Sequence, residues 1–174
     1  MGKFSIKATN LHWIDGSLDC PNDLCLHGDA VAIIGKHKRQ YSDATVSATA
    51  LYLLKSLTEN HYPSEGEEVQ MLPCCGFNIY PNEDLTCVSI AGCPNGTDWT
   101  IEHDGDDVVI TLDNGYVERI NIIDYQRAVF DFADFIENFY QKCSPKIIND
   151  YDEEDRNGYI AFWNEWHRRR NKAS

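Results

Sequence analysis

Two runs of apolar residues at helical spacing flank a segment in which apolar residues alternate, and this change of period is the strongest constraint on the fold. Val46, Ala50, Leu53, Leu54 and Leu57 form one stripe after Asp43, which is placed to cap a helix over 44–60. Tyr125, Val129, Phe132, Ile136, Phe139 and Cys143 step by four and three after Asp124, and Pro145 stops a second helix over 125–143. Phe130 and Phe135 lie off that stripe, so this helix is expected to be the central one, covered on more than one side. A third helix, 153–170, opens on Glu153, Glu154 and Asp155 and closes on Arg168, Arg169 and Arg170, the charge order that suits the helix dipole. Its aromatic stripe is Tyr159, Phe162, Trp163 and Trp166, and Gly158 weakens its start.

Between the first two helices the period is two. Strands are expected at Gly76–Tyr80, Cys87–Ala91, Trp99–His103, Val108–Leu112 and Tyr116–Ile122. Asp104-Gly105-Asp106 and Asp113-Asn114-Gly115 separate the last three at hairpin distance, which gives an antiparallel meander. Further strands are expected at Phe4–Trp13 and Ala30–Gly35. The class is α+β, an antiparallel sheet packed with about three helices, in one domain spanning 1–174. A chain of 174 residues hides about 70% of its unfolded surface, enough for one core without covalent staples.

The formal net charge is −13, and it is unevenly placed. No Lys or Arg occurs from Ser56 to Glu118, a stretch of 63 residues that by itself carries −13. Such a chain repels a phosphate backbone, so a broad nucleic-acid interface is not expected. No apolar run approaches the roughly 20 residues that cross a bilayer, and Met-Gly-Lys-Phe-Ser-Ile has neither a signal-peptide core nor a myristoylation pattern. The expected location is cytoplasmic. The basic end, Arg168 to Lys172, is expected to be a solvated helix terminus or to fold back on the acidic middle.

Cys74-Cys75, Cys87 and Cys93, with Cys20, Cys25 and His27, are soft groups of the kind zinc takes, but the spacings are not those of zinc knuckles. All seven cysteines are read as reduced, small buried hydrophobes, with no metal and no cofactor. No cysteine is expected at a helix N-terminus, where a nucleophilic thiolate would be favoured. The phosphate-cradling glycine patterns and the Gly-x-Ser-x-Gly elbow are missing, and Asp104 to Asp107 do not fit the positions of a calcium loop. No catalytic residue is assigned.

Unpaired carboxylates stay in water, so the cation-free stretch is expected to present a carboxylate-rich face to a basic protein partner. Its candidate contact residues are Glu65, Glu67, Glu68, Glu83, Asp84, Asp98, Trp99, Glu102, Asp104, Asp106 and Asp107, with Tyr80, Trp99 and Tyr116 as aromatic anchors. In size, acidity, free thiols and lack of a catalytic motif the chain as a whole resembles the small acidic α+β immunity proteins of bacteria. That resemblance implies stoichiometric neutralisation of a basic toxin, and it assigns no residue. The alternatives are a metal-dependent or hydrolytic enzyme, and a structural protein that self-associates through Trp163 and Trp166.

Overall fold

The computed structural model describes residues 3–63, 70–76 and 78–172. Its first sheet is antiparallel in the order β1 (Phe4–His12), β2 (His27–Ile34), β3 (His37–Thr45). Gly28, Ala30, Ala32 and Ile34 face the core from β2, at the expected period of two. Gly35 joins β2 to β3 at φ 59°, and a Cβ there would strike the Tyr116 hydroxyl and the Glu118 carboxylate. β3 was not expected from its sequence. His37 to Ser42 is polar on both faces, so the strand carries no apolar alternation, and main-chain pairing with β2 defines it.

Helix α1 spans Val46–Ser56, shorter than the 44–60 expected. Asp43 does not cap it: Asp43 sits at φ 57° near the end of β3, and Thr45 occupies the N-cap position without a side-chain bond. Ten of the eleven α1 residues are buried. The small residues Ser47, Ala48, Thr49 and Ala50 let neighbours approach its first turns closely, and α2, α3, β2 and β3 all pack on it. The expectation that the second helix is central is therefore corrected; α1 holds that place.

A two-stranded hairpin, β4 (Asn78–Pro81) and β5 (Val88–Ala91), follows, and then the expected meander of β6 (Thr100–Asp104), β7 (Asp107–Thr111) and β8 (Val117–Asn121). Helix α2 spans Ile122–Lys142, starting three residues before the expected point because Asn121, not Asp124, caps it by accepting the Ile123 N–H. Tyr125, Val129, Phe132, Ala133 and Ile136 face the core, while Phe135 is 48% exposed. Helix α3 spans Glu153–Lys172 and packs on β4, β5 and α1. Gly158 is buried where a Cβ would lie 2.2 Å from the Ile79 carbonyl oxygen, so the residue that weakens the helix is also the one that lets it reach β4. The fold is α+β, as expected, and no described helix is long and apolar enough to cross a membrane.

Candidate functional site

Among the described residues, those of the cation-free stretch do not form one free acidic surface. Glu65, Glu67 and Glu68 lie outside the described residues. Asp98 is turned inward, where one carboxylate oxygen meets His61 Nε2 at 2.8 Å and accepts the N–H groups of Met71 and Trp99. Trp99 is 1% exposed and part of the core. These two are corrected as contact residues: at the entry to β6 the carboxylate is needed to satisfy buried backbone donors, and the indole is needed for packing. Asp104 and Asp107 are bound by Arg119, the first cation after the stretch, at 2.6 and 3.3 Å. Glu102 accepts the Tyr62 hydroxyl. Glu83, Asp84 and Asp106 remain exposed at two separate hairpin turns. Of the proposed anchors, Tyr80 is 45% exposed, whereas Tyr116 is half-buried and donates to Glu118.

The basic end folds back on acidic groups, one of the two expected outcomes. Glu165 of α3 is buried, accepts the Val88 N–H at 2.8 Å, and is met by Lys55 of α1 at 3.3 Å and by Arg169 at 2.7 Å. Arg169 also pairs with Glu59, and Arg170 grips Asp134 of α2 with two hydrogen bonds. Trp166 is fully buried and donates to Glu137, so self-association through this tryptophan is corrected as well.

A different acidic surface emerges where the connection from β1 to β2 meets the one from α2 to α3. The first is held rigid: Ile14 and Cys25 donate their N–H groups to the two oxygens of Asp23, and Ser17 donates to Asp15. Ser144 binds Asp19 through its N–H and hydroxyl, which holds that carboxyl below the usual range. Lys146 donates to the Cys20 carbonyl while lying 3.0 Å over the Trp13 ring, and burial lowers its pKa. Ile147 N–H reaches the Pro21 carbonyl. These bonds leave Ile14 and Leu18 pointing into solvent, 75% and 71% exposed. Ile14, Asp23, Ile79, Tyr151 and Asp155 line a groove of about 410 Å³. The β1–β2 connection, 13–26, and the segment 144–157, which runs into the first turn of α3, together hold eight carboxylates against two cations, Lys146 and Arg156. Cys25 lies beneath the groove, and burial pushes its thiol up to about 12, which keeps it protonated and inert.

Two further constellations come from residues that no spacing pattern linked. At one end of the first sheet His12 Nε2 lies 3.1 Å and His27 Nδ1 3.7 Å from the same Asp43 oxygen. Irregularities in both strand pairings, with Asn10 and Asp43 at positive φ, aim these side chains together. Burial depresses the His27 pKa against the opposing pull of Asp23 and Asp43. The second constellation is sulfur. Cys74 and Cys93 are disulfide-bonded, which corrects the expectation of seven reduced thiols, and the sulfur of Cys75 stands beside them. The pairing arises because Leu72 and Thr97 form a β-bridge that lays two loops side by side.

No protein-family model, no curated protein and no solved structure matches the chain.

Proposed function

We propose that the protein is a non-enzymatic binding module that captures a basic protein partner stoichiometrically, in the manner of an immunity protein neutralising a toxin in the cytoplasm. The observation that carries this reading is the rigid, acidic connection that holds Ile14 and Leu18 out in water, with Ile14 at the edge of a groove. Isolated exposed aliphatics are ordinary on protein surfaces. Here both occupy one loop whose backbone is fixed by Asp15, Asp19 and Asp23, so little conformational entropy remains to be lost on binding. Apolar anchors within a ring of carboxylates suit a partner that offers a pocket rimmed by Lys and Arg, with the charges speeding encounter and the aliphatics slowing release. The proposed contact surface thus moves from the cation-free stretch to residues 13–26 and 144–157.

The test is a calorimetric titration with the product of the adjacent reading frame, at low and at high salt. The expected complex is one-to-one and weakens with salt. Ile14→Ser with Leu18→Ser should weaken it by at least about tenfold, the scale of an interface hot spot, and Asp155→Lys should slow association. Reversal of Asp104, Asp106 and Asp107 to lysine should change little. Full affinity in the Ile14, Leu18 and Asp155 variants would sink the assigned surface.

A further inference from the structure

The sulfur atoms of Cys74, Cys75 and Cys93 all lie within 4.8 Å of one another, a closer gathering of soft ligands than the sequence spacing suggested. Cys87, another of the soft groups in this part of the sequence, is elsewhere, with its sulfur accepting from Arg168 at 3.1 Å. Three features make the triad a built site. The Leu72–Thr97 bridge, closed by two hydrogen bonds of 2.9 Å, fixes the loops that carry the cysteines. Gly92 passes so close to Cys75 that a Cβ would stand 2.4 Å from the Cys75 carbonyl oxygen, so a side chain there would force the loops apart. The Cys93 N–H points at the sulfur of Cys75, 3.0 Å away, a donor that stabilises a thiolate. Around this centre Met71 and Gly96 are pinned through Asp98 and Gln70, so the support extends past the ligands.

We propose that, once the Cys74–Cys93 bond is reduced, the thiolates of Cys74, Cys75 and Cys93 bind one soft divalent cation of the zinc class. Reduction by a small thiol or dithiol transfers two electrons and two protons to the pair and converts the reductant to its own disulfide. The cation then displaces the thiol protons of the three cysteines, releasing up to three protons to solvent. Sulfur ligands at about 2.3 Å from zinc stand roughly 3.8 Å apart in a tetrahedron, so Cys74 and Cys93 must part, and the Cys75 sulfur starts within 4.8 Å of both. Among the described residues no fourth His, Cys, Asp or Glu joins the cluster. The same three sulfurs thereby offer either a disulfide or a metal clip between the two loops.

The experiment uses the untagged full chain, reduced with a phosphine and handled without oxygen. Cobalt(II) is titrated first and zinc(II) second. One equivalent of cobalt should give a thiolate-to-metal charge-transfer band in the near ultraviolet, and zinc should bleach it. Cys75→Ser should weaken zinc binding by more than the roughly 10–100-fold that loss of a ligand's supporting partner costs. Cys87→Ser should bind as the wild type does. Zinc should also shield Cys74, Cys75 and Cys93 from alkylation while Cys87 and Cys143 still react, a readout that needs no variant to fold. Absence of the charge-transfer band, wild-type affinity in Cys75→Ser, or alkylation of the triad at the same rate with and without zinc would each overturn the proposal.

Discussion

Replacing Glu165 with alanine should cost this protein about 3 kcal/mol, because that carboxylate ties α3 to both α1 and β5. Glu165 is 1% exposed, and four groups depend on it: the Val88 N–H at 2.8 Å, the Lys55 ammonium at 3.3 Å, the Arg169 guanidinium at 2.7 Å and the Arg168 guanidinium at 3.6 Å. Removing one member of a buried ion pair costs about 3–5 kcal/mol because it strands the other charge. Two contacts moderate the loss here. Lys55 keeps its hydrogen bond to the Val88 carbonyl at 2.6 Å, and Arg169 keeps Glu59, which places the expected value at the lower end of that range. In a chain of this size, 1 kcal/mol moves the midpoint by about 2–4 °C, so thermal unfolding should shift down by about 6–12 °C. Glu165→Gln should fall between, since the amide oxygen still accepts from Val88 N–H while the charge is gone. A double-mutant cycle with Arg169→Ala should return a coupling of about 0.5–3 kcal/mol. A loss below about 1 kcal/mol in Glu165→Ala, by urea and by heat, would refute the reasoning: the cations would then be rehydrating freely, and aromatic packing alone would hold α3 in place.

Gly158→Ala ordinarily adds about 1 kcal/mol to a helix, but here the new methyl meets the Ile79 carbonyl oxygen, so a loss of about 1–3 kcal/mol is expected by urea unfolding, and a gain would show that α3 does not press on β4. Because burial depresses the His27 pKa, its contribution to stability is complete above the ordinary imidazole range, near about 6.5, and is lost as pH falls through that range toward the folded-state value. The stability advantage of the wild type over His27→Gln should therefore shrink between neutral and mildly acidic pH, with Asp23, Asp43 and His12 present in both proteins; a difference that grew on acidification would reverse the sign of the argument.

Much of the fold is legible in the sequence. The meander of β6, β7 and β8 follows from Gly105 and Gly115, both at positive φ, set between alternating apolar residues. The third helix follows from its charge order and aromatic stripe. β3 was missed because a strand of polar residues is defined by its neighbour's hydrogen bonds rather than by a face of its own. The central helix was misassigned because α1 mixes small polar residues with its leucines. Ser47 and Ser56 look solvent-facing in sequence, but they are buried, Ser47 accepting the Leu26 N–H and Ser56 donating to the Leu53 carbonyl. Conversely, the aromatic excess of α2 suggested burial on two sides, yet Phe135 stays half in water.

The sequence by itself determined the class of the fold, the elements that carry an apolar period or a turn signal, and the uneven charge, because these depend on local period, turn chemistry and residue counts. Tertiary structure decided which charges are available. Electrostatics and sulfur chemistry depend on distances in space, and no count along the chain shows that Arg119 closes on Asp104 and Asp107, that Asp98 turns inward, or that three cysteines from two loops converge. The cation-free stretch was real as a sequence feature, but among its described residues the carboxylates are split between inward, paired and separately exposed positions. Among the described residues an exposed acidic surface lies where two segments, remote in sequence, are bonded together by Ser144, Lys146 and Ile147.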